Sequence, residues 1–324
     1  MYSILLMVKI DKQETKTERI KSSTIQGLRI LALTTLIATY LLIVLGSTVR
    51  VTESGMGCAG WPLCSGHIGP IDHFHPLLEQ SHRYLAAIVT VLIAAIAILS
   101  YRGGENTRHI KGPAFLAVGA IIVQIVLGAI TVFTNNAPVT VALHLIVGLS
   151  FLGIVTVVTA RAYTPSRSNQ LPLYRFDRLA IPAVAALFII FISGSLVVDG
   201  GAEKACPSWP LCFGSHAAGG LLTLQLIHRT IVFIGASVSA IYFIRIMRNL
   251  TKSAIHRKLA VTGLVLLAVE IVVGASVALL RAPDYLADIH LALAAALWTV
   301  TVATAVLAVP KDSNLDRAYT VTPT

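Results

Sequence analysis

Charge is scarce in this chain. Asp, Glu, Lys and Arg make up 12% of its 324 residues, against 56% hydrophobic, and the mean hydropathy is +0.79. A water-soluble fold of this length needs more polar surface, so lipid is the expected solvent. The N-terminal 26 residues lack the profile of a targeting peptide. They carry Asp11, Glu14 and Glu18, whereas a mitochondrial presequence is Arg-rich and poor in acids, and no apolar stretch directly follows their basic residues as in a secretory signal. A bacterial plasma membrane is the simpler expectation.

What is present is a series of apolar runs, each near the roughly 20 residues needed to cross a bilayer. They fall at 28–49, 83–101, 113–134, 139–160, 179–198, 221–244, 259–280 and 287–309. The expected fold is therefore an all-α integral membrane protein with eight transmembrane helices. The net charge of +10 does not point to nucleic acid, because the basic residues are segregated. With the N-terminus inside, 20 Lys and Arg lie in or beside the inner segments. Only Arg50, Arg83, Lys204, Arg229 and Arg281 lie outside. That bias predicts cytoplasmic termini and some attraction to anionic lipid.

The same orientation places all four cysteines in external loops, an oxidising setting. Disulfides Cys58–Cys64 and Cys206–Cys212 are the expectation. A zinc site is the disfavoured alternative, since the spacing is unlike zinc knuckles.

The chain repeats itself. GSTVRVTESGMGCAGWPLCSG around Cys58 answers GSLVVDGGAEKACPSWPLCFG around Cys206, 148 residues later. His82-Arg83 matches His228-Arg229, His144 matches His290, and QIVLG (124–128) matches EIVVG (270–274), each 146 residues apart. Each half has an even number of spans, so the expectation is two parallel four-helix bundles related by pseudo-two-fold symmetry. These occupy residues 28–162 and 179–309, with an N-terminal segment 1–27, a linker 163–178 and a tail 310–324.

Intramembrane histidine is costly and tends to face a bundle interior. His82, His144, His228 and His290 lie near the outer ends of the second, fourth, sixth and eighth spans, so each half has two imidazoles at similar depth. Two facing imidazoles can ligate haem iron; bridging hydrogen bonds are the plainer alternative. His67, His73, His75, His109, His216 and His256 read as solvated loop residues. Arg83, Arg229 and Arg50 could bind haem propionates, or Arg83 and Arg229 could simply reach the interface.

The halves also differ. Glu79 lies three residues before His82, on the same helix face, where the second half has Gln225. A carboxylate in an apolar pocket can act as acid, base or nucleophile and an amide cannot, so chemistry is expected in the first half. A helix-capping role for Glu79 remains open. Glu270, matching Gln124, reads as structural or as a proton-path candidate.

Taken together, Gly46–Cys64, Glu79–Arg83 as an E-x-x-H-R motif, His144, His228, His290 and the two cysteine pairs resemble the haem A synthase family. That family includes bacterial CtaA-type enzymes and their mitochondrial relatives. The resemblance covers all eight spans. It implies that His82 and His144 hold substrate haem O and that Glu79 is catalytic. It also implies that His228 and His290 ligate a haem B cofactor. The implied reaction oxidises a ring methyl of haem O to a formyl group by successive hydroxylation, yielding haem A for terminal oxidases. A haem O synthase is a candidate partner, and an electron acceptor is required. His67, His73 and His75 have no counterpart in the family pattern.

Two other functions compete. A di-haem b-type cytochrome would use all four histidines for electron transfer, but both sites lie at one membrane face, which disfavours transfer across it. A transporter would explain the repeat, yet the spans lack midplane Gly/Pro breaks.

Overall fold

A computed structural model of the chain describes residues 2–66, 68, 72–164, 178–213, 219–249 and 254–307. Among them are eight long helices and no β-strand. In chain order these are α1 (Tyr2–Val51), α2 (Phe74–Arg102), α3 (Arg108–Phe133), α4 (Pro138–Tyr163), α5 (Ala180–Asp199), α6 (Gly219–Asn249), α7 (Ala254–Leu279) and α8 (Asp284–Val306). All eight contain a stretch long and apolar enough to cross a membrane. Helices are the natural solution there, because lipid offers no partner to a free backbone N–H or C=O. Several hydroxyl side chains within the spans are satisfied locally. Thr35, Thr39, Thr156 and Thr301 each donate to the carbonyl four residues earlier, a pattern that spares them a desolvated hydroxyl. Ile30, Val91, Leu116 and Phe233 are exposed, as a lipid-facing surface requires.

The two helices that begin furthest ahead of their apolar runs are α1 and α2. α1 is continuous from Tyr2, although only Ile25–Val51 is membrane-like. α2 starts at Phe74, nine residues before the apolar run expected from 83, because FHPLLEQSH (74–82) is helical but polar. The linker expected at 163–178 lies mostly outside the described residues, as do His67, His216 and the tail 310–324.

The helices close into two rings. α1 packs on α2 and α4, and α3 packs on the same two. α5 packs on α6 and α8, and α7 does likewise. Leu28, Ile93, Phe151 and Val155 belong to one apolar cluster, and Leu187, Tyr242, Phe243 and Trp298 to the other. The rings meet where α8 contacts α1 and α4, and where α4 contacts α5. At that seam the Trp298 indole N–H donates to the Leu149 carbonyl at 3.0 Å. Gly153 makes the close approach feasible, since a Cβ there would stand 3.1 Å from the Trp298 ring. The Tyr40 hydroxyl donates to the Ala292 carbonyl.

Three histidines expected in loops are helical. His109 lies in α3 and His256 in α7, where His256 is buried. His109 Nε2 bonds the Arg161 carbonyl at 3.0 Å, and His256 Nε2 contacts the Leu307 carbonyl. These carbonyls end α4 and α8, where the last turn has no intrahelical donor. Hydropathy hid this role, because capping a neighbouring helix calls for a polar residue. His75 is also helical, in the first turn of α2, and its Nδ1 lies 2.8 Å from the buried Ser54 hydroxyl. His73 is the exposed residue preceding α2.

Candidate functional site

The ring order places α2 diagonally from α4, and α6 diagonally from α8. Those are the helices that carry His82, His144, His228 and His290. All four imidazoles are half-buried. His82 lies close enough to His144 for electrostatic interaction, and His228 to His290. Each pair therefore lies across one ring, on diagonally opposed helices.

The other diagonal of each ring supplies glycines. A Cβ on Gly46 of α1 would stand 2.9 Å from His82 Cε1, and one on Gly128 of α3 3.2 Å from His144 Cε1. In the second half the distances are 3.3 Å for Gly194 of α5 against His228 and 2.9 Å for Gly274 of α7 against His290. Each imidazole thus lies in a notch that only glycine leaves open. Gln124 and Glu270 stand one turn before Gly128 and Gly274, so they face the same histidines. The Gln124 amide donates to the His144 carbonyl at 2.9 Å and lies 3.3 Å from His144 Nε2. Glu270 Oε1 lies 3.0 Å from His290 Nδ1. That contact has ion-pair length, but its alignment falls short of a formed hydrogen bond, leaving His290 Nδ1 without one.

Support at Nδ1 differs between halves. Ser193 Oγ lies 2.8 Å from His228 Nδ1 and donates its own proton to the Ile190 carbonyl. His82 Nδ1 and His144 Nδ1 are buried without a hydrogen-bond partner, although the Leu42 backbone approaches the His82 ring. Each site offers two imidazoles, which suits a metal that brings its own in-plane ligands. The glycine notches and the paired, half-buried imidazoles fit a haem.

Glu79 is 4% exposed and lies in the second turn of α2, too far in to be a simple cap. Its Oε1 is 2.5 Å from Arg83 Nη2, and its Oε2 accepts from the Cys58 backbone N–H at 2.8 Å. Gln225 occupies the matching place with reversed polarity, its amide donating to the Ala202 carbonyl at 2.7 Å. Both residues thus anchor the loops that carry the cysteines. Both disulfides are formed, Cys58–Cys64 and Cys206–Cys212.

The arginines also hold the loops. Arg83 donates to the Gly60 and Pro62 carbonyls, and Arg229 to those of Ser208, Pro210 and Cys206. Arg50 spans the seam instead, 2.7 Å from Asp199 of α5, which also accepts from Ser195.

A family model described as cytochrome oxidase assembly protein, COX15-CtaA, matches residues 29–76 and 72–302. The chain belongs to the COX15-CtaA family. Among similar proteins, the haem A synthase of Halalkalibacterium halodurans is 28% identical over 288 residues, covering 85% of this chain and 94% of that protein. The haem A synthase of Alkalihalophilus pseudofirmus is 29% identical, covering 76% and 87%. That of Geobacillus thermodenitrificans is 30% identical over 199 residues, covering 59% of this chain and 62% of the relative, under two thirds of its length.

Sequence reasoning missed Ser193 and the four glycines, and it did not connect Glu270 with His290. A signal was available. QIVLG and EIVVG each end in a glycine four residues after the polar one, and each polar residue precedes its histidine by 20.

Proposed function

We propose that the protein is a haem A synthase, an oxidoreductase of the membrane that converts haem O to haem A. One observation carries this reading: two histidine pairs lie in glycine notches, and the first has a carboxylate, Glu79, one turn before a histidine on the same helix, where the second has Gln225. Residues 28–162 form the half that binds substrate haem O through His82 and His144. Residues 179–309 form the half that holds haem B through His228 and His290, related to the first by a pseudo-two-fold axis along the membrane normal. Haem B there supplies one-electron redox chemistry. Converting a methyl to a formyl group removes four electrons and adds one oxygen atom, so an electron acceptor and an oxygen source complete the reaction.

Glu79 acts at the methyl undergoing oxidation. Its bonds to Arg83 and Cys58 orient the carboxylate, and each oxygen retains a lone pair for substrate or proton. The cysteine loops face outward and both termini face the cytoplasm, in keeping with the distribution of Lys and Arg. A haem O-producing enzyme is the natural supplier of so apolar a substrate.

One observation favours a second reading, a di-haem b-type cytochrome. Glu79 and Gln225 both anchor loops, which gives the glutamate a structural use without chemistry. Haems extracted from cells that express the protein and supply haem O decide between them. Haem A that accumulates with Glu79 and disappears with Glu79→Gln supports the synthase. Haem B as the sole bound haem, with no haem A under any condition, supports the cytochrome.

A further inference from the structure

We infer that Ser193 and Glu270 are positioning residues that make the second histidine pair a haem-retaining site, and that the lack of equivalents leaves the first pair exchangeable. The inference rests on the proposed two-haem reading and deepens it.

The argument turns on which imidazole nitrogen carries the proton. Iron needs a lone pair on Nε2, so the proton must sit on Nδ1. The Ser193 hydroxyl sends its hydrogen to the Ile190 carbonyl at 2.9 Å. With its hydrogen so directed, it accepts from His228 Nδ1, 2.8 Å away, which favours the proton on Nδ1. A carboxylate likewise can only accept. Glu270 Oε1, 3.0 Å from His290 Nδ1, favours the same tautomer. The His228 imidazole is thus set for iron before it arrives, and a carboxylate stands beside Nδ1 of its partner His290.

The first half has neither device. Leu45 stands where the second half has Ser193, and Gln124 where it has Glu270. His82 Nδ1, His144 Nδ1 and His290 Nδ1 are all buried without a hydrogen-bond partner, but His290 Nδ1 has a carboxylate oxygen 3.0 Å away. The Gln124 amide makes its shorter contact with the His144 backbone, and its longer one with Nε2, the nitrogen iron requires. Partners of this kind strengthen a ligand as well as orient it, and their loss typically weakens metal affinity about 10–100-fold. A resident cofactor calls for such support; a substrate that must leave as product is better served without it.

The test uses full-length protein with haem B loaded at both sites, and follows haem loss to excess apomyoglobin together with the midpoint potential of each site. Wild type should lose haem in two phases, the fast one absent in His82→Ala. Ser193→Ala and Glu270→Gln should each speed the slow phase roughly 10–100-fold while keeping a six-coordinate low-spin spectrum. Glu270→Gln should also move the second site's potential positive, because a carboxylate on Nδ1 stabilises ferric iron. A tenfold change in that preference is about 59 mV for one electron, a shift that altered packing alone would not impose. Glu270→Asp should restore part of it. In the converse direction, Gln124→Glu should slow the fast phase.

Unchanged slow-phase rates and potential in both variants, with His290→Ala still abolishing that haem, would overturn the inference alone. A haem spectrum insensitive to His228→Ala and His290→Ala would instead overturn the two-haem reading.

Discussion

Gly46 and His82 pack so closely that a Cβ on the glycine would stand 2.9 Å from the imidazole Cε1. Gly274 makes the same approach to His290, while Gly128 and Gly194 leave 3.2 and 3.3 Å to their histidines. These distances rank four substitutions. Gly46→Ala and Gly274→Ala should push their rings off the ligating position and weaken haem retention by tenfold or more, on the order of the 1–3 kcal/mol that overpacking costs. Gly128→Ala and Gly194→Ala should be milder. Each ring can yield by rotating, so the apoprotein should still fold. Titration of the purified variants with haem B, read at the Soret band, checks the order.

Arg83 and Arg229 make parallel contacts with their loops, but only Arg83 neutralises an acid. Its guanidinium and the Glu79 carboxylate are 12% and 6% exposed. Removing one member of a buried pair strands the other, at a cost of about 3–5 kcal/mol. Arg83→Ala should therefore destabilise the protein more than Arg229→Ala, which forfeits bonds to carbonyls without isolating a charge. Pairing Arg83→Ala with Glu79→Gln should recover much of the loss. Thermal unfolding in detergent is the measurement, and equal losses for both arginines would contradict the account.

The parts of this molecule that were readable in its sequence are those with local or periodic signatures. Eight apolar runs marked the spans, and the recurrence of Trp-Pro-Leu-Cys and His-Arg marked the duplication. The missed features depend on contacts between helices. Glu270 meets His290 only because α7 and α8 pack side by side, and nothing in α7 by itself names its partner. His109 and His256 looked like loop residues because a polar residue capping a neighbour's carbonyls interrupts hydropathy as a loop does. The start of α2 was hidden for the same reason: residues 74–82 bear loop anchors and two histidines, so the helix begins well before its lipid-facing stretch.

The Cys58–Cys64 disulfide should matter more to activity than Cys206–Cys212. Both close six-residue separations, for which loop-entropy arguments give about 2 kcal/mol each. Their connections differ, however. The Cys58 N–H bonds Glu79 directly, whereas the second loop is tied to Gln225 through the Ala202 carbonyl. The paired substitution Cys58→Ser with Cys64→Ser should therefore lower haem A formation severalfold beyond the equivalent change at Cys206 and Cys212. Haem binding at the second site should be unaffected by the first change. Haem extraction from matched expression levels reads the first effect, and the Soret band of the purified variant the second.

Arg50 has a defined partner, and this separates two uses of its charge. It donates at 2.7 Å to Asp199 across the seam between the halves, and Ser195 fills the other carboxylate oxygen. If joining the halves is its main task, Arg50→Ala should remove a charged hydrogen bond worth roughly 1.5–3 kcal/mol, and Asp199→Asn should lower stability in the same direction. Combining them should cost less than the sum, since each removes the same interaction. Haem retention should be unchanged in all three variants. Were Arg50 instead to hold a propionate, Arg50→Ala would release haem while Asp199→Asn tightened its grip, because the freed guanidinium would turn to the ligand. The opposite signs at Asp199 make the two outcomes separable by one haem-loss measurement, and the 2.7 Å pair predicts no change.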